Sequence, residues 1–308
     1  MRNVVLTAAA VLEEGGGIAR DGLVDANRLR RMDRFGRSGV LAGARALSAA
    51  GLAAASPGAA PDPRSGIVVG TAFGCRDAMT RHERLLASAA RIEDLAPSVF
   101  AATVHNTAGG ELAILYALGG PAETLVSGRT AGLEALALAA SRVAKGDADR
   151  ILVVAAEGID EEMRRAFARE SPGTMLAESA AAVLIEGIEE DEILLSKRGR
   201  PIFVGASLTF EGSPRAAMPE EDHFLEGVGR GAARGGGGAV IERPGAPGVE
   251  RLGASGLWEI ASDVAAGAAR SVATAGDPSA HSPSRKIHRY TVLDVHGLRA
   301  AVTLTFFS

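Results

Sequence analysis

This 308-residue chain holds one thiol, that of Cys75, and six imidazoles. A single cysteine excludes an intrachain disulfide and a cysteine-built metal cluster. Cys75 follows Phe73-Gly74 at a glycine-rich strand exit. A helix starting near Arg76 would lower its pKa and favour the attacking thiolate. No His or Asp partner for it is identifiable from the sequence, so the preferred reading is a small buried hydrophobe, with a displaced nucleophile as the alternative. His105, beside Asn106 and just ahead of an expected helix, reads as a capping or packing residue. His223, His281 and His288 fall in polar, loop-like sequence, and His296 lies in Asp294-Val295-His296-Gly297-Leu298.

A second place shaped for chemistry is the run from Gly120-Pro121 through Thr124-Leu125-Val126-Ser127-Gly128-Arg129-Thr130-Ala131 to Leu136. It reads as a short strand, a tight turn and a helix, and the residue displayed at the turn is Arg129. A guanidinium stays protonated at physiological pH, so it supplies fixed charge and a fork of donors, but neither nucleophile nor base. Ser127 and Thr130 flank it, and a hydroxyl needs an adjacent general base that the sequence does not identify. The preferred role for Arg129 is an ion pair with Glu134, Glu157 or Glu178, since an unpaired buried charge costs several kcal/mol. The alternative is capture of a carboxylate or phosphate.

Strands alternate with helices along the chain, which argues for an α/β layered fold. Strands are expected over 3–7, 66–70, 124–126, 150–156 and 181–185, and helices over 33–50, 77–90, 107–118 and 131–145. Beyond 187 the pattern reads as a strand over 202–210, a loop-rich stretch, a helix over 258–273 and final strands over 290–295 and 301–306. Hydrophobic residues make up 47% of the chain but aromatics only 4%, so the core must be built from Ala, Val and Leu. Residues 54–65 and 227–248 read as surface loops. The run Gly235 to Gly238 lacks the Gly-Lys-Ser/Thr ending of a phosphate loop, and Gly15 to Gly17 lacks dinucleotide spacing, so no cofactor and no metal is expected. A net charge of -4 without a basic tract gives no reason to expect nucleic acid. No apolar run is long enough to span a membrane and the first residues lead into a strand, so the expected location is the cytoplasm.

The turn at Arg129 resembles the nucleophile turn of the β-ketoacyl synthases, members of the thiolase-like superfamily. Other segments resemble the same family in order: Leu29-Arg30-Arg31-Met32-Asp33-Arg34-Phe35-Gly36-Arg37, Gly66-Ile67-Val68-Val69-Gly70-Thr71-Ala72-Phe73-Gly74, Pro97-Ser98-Val99-Phe100, Asn106-Thr107-Ala108-Gly109-Gly110, Ile151-Leu152-Val153-Val154-Ala155-Ala156-Glu157, and Ala177-Glu178-Ser179-Ala180-Ala181-Ala182-Val183-Leu184-Ile185-Glu186. The resemblance implies a thiolase-like layered αβαβα fold of two related halves, 1–187 and a shortened 188–308. It also implies that Arg129 occupies the position of the family's cysteine and that the two family histidines are missing, Glu250 standing at one of their positions. No catalytic residue then remains. By resemblance Phe73, Met79, Phe100 and Thr103 line an acyl-chain tunnel, and His296 lies near the loop that gates the pocket. The function so implied is that of a noncatalytic homologue, similar to a chain length factor, in polyketide, polyene or fatty-acid-type biosynthesis. It would pair with a cysteine-containing ketosynthase, or with itself, and meet an acyl carrier protein. The alternatives are a thiolase-fold enzyme doing other acyl-transfer chemistry with Arg129 and His296 or Cys75, and a scaffold that binds acyl carrier protein.

Overall fold

The computed structural model describes residues 2–13, 22–89, 91, 93, 97–170, 172–173, 175–189, 202–210, 240–243, 249–251, 254–274, 285–293 and 298–307. Its first strands are β1 (Asn3–Glu13), β2 (Ser65–Thr71), β3 (Ala122–Val126) and β4 (Arg150–Glu157). They are followed by β5 (Met175–Leu176), β6 (Ser179–Ile188), β7 (Ile202–Phe210), β8 (Val240–Arg243), β9 (Val249–Glu250), β10 (Arg285–Leu293) and β11 (Leu298–Phe307). The helices are α1 (Ala26–Leu29), α2 (Arg34–Ala49), α3 (Arg76–Ser88), α4 (Pro97–Ala101), α5 (Thr107–Tyr116), α6 (Ala131–Lys145), α7 (Glu161–Glu170) and α8 (Ser255–Thr274).

Nine strands are hydrogen-bonded in the order β3-β2-β4-β6-β1-β7-β11-β10-β8. The order hides a repeat. In the first five strands β2 runs parallel to β3 and β4, whereas β6 is antiparallel to both β4 and β1. In the last four, β8 is parallel to β10, and β11 is antiparallel to both β10 and β7. The order β8-β10-β11-β7 therefore repeats β2-β4-β6-β1 in sequence order and relative direction, and the described residues of the later set contain no counterpart of β3. The two sets meet at one pair, Val5 and Ile202.

Helices α6 and α8 fill the space between the sets, α6 against β2, β4, β7 and β11, and α8 against β1, β6 and β10. Their shared core contains Leu133, Leu136, Ala139, Val143, Leu257, Ile260, Tyr290 and Val302. Helices α2 and α5 cover the opposite face of the first set, around Phe35, Leu47, Leu112 and Leu152. The described residues thus supply four layers of an α/β sandwich. Its small side chains are a consequence of close approach: a Cβ on Gly70 would stand 2.4 Å from the carbonyl oxygen of Ala131, and one on Gly43 would stand 2.6 Å from a methyl of Leu112. Close packing of this kind leaves no room for larger residues.

Several sequence expectations change. Strand β10 begins at Arg285, not near 290, so His288 lies in a strand opposite Leu304 rather than in a loop. Pairing with β11 over Arg285–Leu293 and with β8 over Ile287–Tyr290 carries that extension. Within the stretch read as loop, Val240–Arg243 forms β8 because β10 offers it a parallel edge, and Val249–Glu250 pairs with β5. Strand β1 runs on to Glu13, held along its length by β6.

Candidate functional site

Arg129 sits in a single 3₁₀ turn, Gly128–Thr130, between the C-terminal end of β3 and the N-terminus of α6. Gly128 supplies the positive φ of 69° that makes so tight a strand-to-helix corner, which a residue with a Cβ rarely adopts. Thr130 is buried, and its hydroxyl shares its one proton between the Ser127 carbonyl, at 3.1 Å, and the Glu134 carboxylate. Glu134 in the first turn of α6, and Arg142 and Lys145 in its last, match the helix dipole, and Gly146 at φ 83° closes the helix. The turn lies against α8, β10 and β11, so the later strand set covers it. Arg129 itself is half-buried.

Glu134, Glu157 and Glu178, the carboxylates that the sequence offered to Arg129, each hold a further part of the fold. Glu134 takes Thr130, and Glu178 pairs with Arg34 at 3.1 Å. Glu157, fully buried at the end of β4, accepts from the Thr71 hydroxyl at 3.1 Å and from the backbone N–H groups of Ala72 and Phe73, the latter at 3.3 Å. It therefore braces the loop leaving β2.

That loop carries Cys75. The thiol is buried and lies 3.5 Å from His105 Nδ1, a neighbour the sequence did not reveal because 30 residues separate the two. Burial pushes its pKa up to about 11, and the nearby Asp33 carboxylate adds to the effect, so the thiol stays protonated near neutral pH. The expected helix-terminus activation is outweighed. His105 packs over Gly74, whose φ of 57° and missing Cβ make room for the ring: a Cβ there would stand 2.2 Å from Nδ1. This is the packing role expected of His105. Asn106, not His105, is the cap position of α5.

The apolar residues assigned to a tunnel wall are exposed among the described residues. Phe73, Met79 and Phe100 are 44%, 38% and 62% exposed, and the Thr103 hydroxyl donates to the Phe100 carbonyl at 2.8 Å. Val104 and Ile114 add to the exposed apolar surface, and β3, the end strand of the sheet, leaves its outer edge without a neighbour among the described residues. His296 lies outside the described residues.

A cavity of about 160 Å³ is lined by Arg30, Arg31, Met32, Asp33, Ala78, Arg81, Val99 and Ala102. Asp33 caps α2 by accepting from Gly36 N–H at 2.7 Å, while its Oδ2 is buried without a hydrogen-bond partner. Burial, and then the Asp77 charge, raise its pKa to about 6 against the opposing Gly36 bond.

The model for the β-ketoacyl synthase N-terminal domain matches residues 22–191, more than half of the chain. The chain belongs to the β-ketoacyl synthase family. The matched span runs from the turn before α1 through β6 and includes the Arg129 corner. Among curated relatives, 3-oxoacyl-[acyl-carrier-protein] synthase 2 of Vibrio cholerae is 33% identical over 129 residues, 42% of this chain. The enzyme of the same name from Vibrio harveyi is 32% identical over a stretch of the same length. In both cases the match spans 30% of the relative's length. The fold is that of thiolase-like ketosynthases: the ishigamide ketosynthase/chain length factor aligns at a TM-score of 0.66 with 18% identity, covering 99% of this chain and 100% of that one. A structure of AntDE with AntF, described as a type II polyketide synthase acyl-carrier protein in complex with its ketosynthase, aligns at 0.65 and 16%, covering 99% of each chain. A β-ketoacyl synthase from Burkholderia phymatum aligns at 0.62 and 14%, covering 99% of this chain and 100% of its own. No described helix is long and apolar enough to cross a membrane.

Proposed function

We propose that this chain is a noncatalytic member of the ketosynthase family that pairs with an active ketosynthase and forms part of the wall of its acyl-chain tunnel. The observation that carries this reading is the residue at the β3-to-α6 corner. A thiol there would face the N-terminus of α6, where a thiolate is stabilised and attacks an acyl thioester. This chain presents Arg129 instead, and its one thiol is buried and held protonated elsewhere. A guanidinium cannot take up an acyl group, so condensation must come from another subunit.

The exposed apolar residues support a paired state. Large apolar side chains such as Phe73, Met79, Phe100 and Val104 are costly to leave in water, and the edge of β3, without a neighbour among the described residues, is a template for strand pairing. A second ketosynthase subunit of similar architecture would cover both, and Phe73, Met79, Phe100 and Thr103 would then line the far end of a shared tunnel, with Arg129 closer to its mouth. Carrier-protein-bound acyl chains are the substrate class this implies. The organisation into 1–187 and 188–308 follows from the same reading, the boundary falling at the last residue of β6.

The test is co-expression with a cysteine-containing ketosynthase from the same source, followed by sizing and a product assay with malonyl carrier protein. A one-to-one complex whose product length moves in Phe73→Ala is the expected result. A chain that remains a homodimer in the presence of the ketosynthase contradicts it.

A further inference from the structure

The loop between β2 and α3 is fixed from three directions while the side chain it presents is left open. Glu157, on β4, is fully buried, and three donors from this one loop converge on its carboxylate: the Thr71 hydroxyl and the N–H groups of Ala72 and Phe73. Thr71 is also fully buried, and its oxygen accepts the Gly74 N–H at 2.8 Å, so the same hydroxyl ties the start of the loop to its end. From a third side His105 fills the space where a Gly74 side chain would stand. The strand register explains the first contact, because Gly70 pairs with Ala155 and the ends of β2 and β4 leave the sheet together.

A carboxylate taken wholly out of water is expensive unless its oxygens are satisfied, and an apolar residue would fill the same space without that cost. What the carboxylate adds is position: acceptor geometry is tight to within tenths of an ångström, whereas apolar contacts slide. The backbone N–H of Phe73 is one of the atoms held, yet the residue is 44% exposed.

We infer that Glu157 is the positioning residue for Phe73 and, through it, sets the length of acyl chain that the tunnel accepts. The inference rests on the chain-length reading proposed above. The ring can act as a stop only if its backbone does not yield to the growing chain, and the Glu157 bonds supply that rigidity. Replacing Glu157 by Gln keeps shape and one acceptor but turns an amide NH₂ toward an N–H donor, so at least one of the three bonds is lost and the loop relaxes.

The experiment measures product-length distributions for the assembled ketosynthase complex carrying Glu157→Gln, Phe73→Ala, and the two together. The expected result is a move of the main product by at least one two-carbon unit in Glu157→Gln, in the same direction as Phe73→Ala, with the double variant matching Phe73→Ala alone. Matching of that kind marks two residues acting through one stop. Lower total turnover with an unchanged distribution would mean that Glu157 only stabilises the fold, and overturns the inference. Thr71→Val, which removes one donor to Glu157 and the acceptor for Gly74, is the second variant should Glu157→Gln fail to assemble, with the same expected shift. A shift in Phe73→Ala with none in Glu157→Gln or Thr71→Val sinks this inference alone. Absence of any shift in Phe73→Ala sinks the chain-length reading and the inference with it.

Discussion

Asp33→Asn separates the electrostatics of the buried cap from its geometry. Asp33 is 3% exposed and its pKa is raised to about 6 from an ordinary 3.8, chiefly by burial. The folded state therefore binds the proton more tightly than the unfolded chain. The resulting stability is complete below 3.8 and is lost as pH rises through about 6. At about 1.4 kcal/mol per pH unit of difference, the carboxylate form costs about 3 kcal/mol at neutral pH relative to the protonated form. Over the practical range from pH 5 to pH 8 the linkage relation gives a loss of about 1.4 kcal/mol. Asparagine keeps an oxygen for the Gly36 N–H and cannot ionise. Urea unfolding of both forms at pH 5 and pH 8 should show the variant gaining about 1.4 kcal/mol on the parent between the two conditions. Parallel pH profiles, or a variant that loses ground as pH rises, would refute the reasoning.

Other consequences follow from packing and burial. With a pKa near 11, about one Cys75 in a thousand is thiolate at pH 8, so a thiol reagent should leave the native protein unlabelled over an hour and titrate one thiol after denaturation; fast native labelling would contradict the buried setting. Gly70→Ala forces a Cβ into the Ala131 backbone and should destabilise by about 1–3 kcal/mol or more, whereas Gly110→Ala, with nothing within 4 Å, should stabilise α5 by about 0.5–1 kcal/mol. Urea midpoints that move in the same direction for both variants would argue against the packing described.

Most of the fold was legible because its core elements repeat apolar residues with strand or helix period. The strands at 66–70 and 150–156, the helix at 131–145 and the Arg129 corner fall where the pattern puts them. The later strand set was harder to read. Strand β8 is short and forms only because β10 offers an edge far along the chain, and the polar start of β10 disguised His288 as a loop residue. The site was legible in its parts and not in its pairings. Arg129, Phe73 and Cys75 stand out by type and position, but no local signal tells that Glu157 grips the loop at 71–73 or that His105 meets Cys75, since those contacts bridge 84–86 and 30 residues.

The central claim is that this chain does its work as half of a pair. Sizing and product analysis of the chain co-expressed with an intact ketosynthase test it directly. A one-to-one complex that makes a chain of defined length, altered by Phe73→Ala, is what the account predicts; a homodimer with no affinity for the ketosynthase would contradict it.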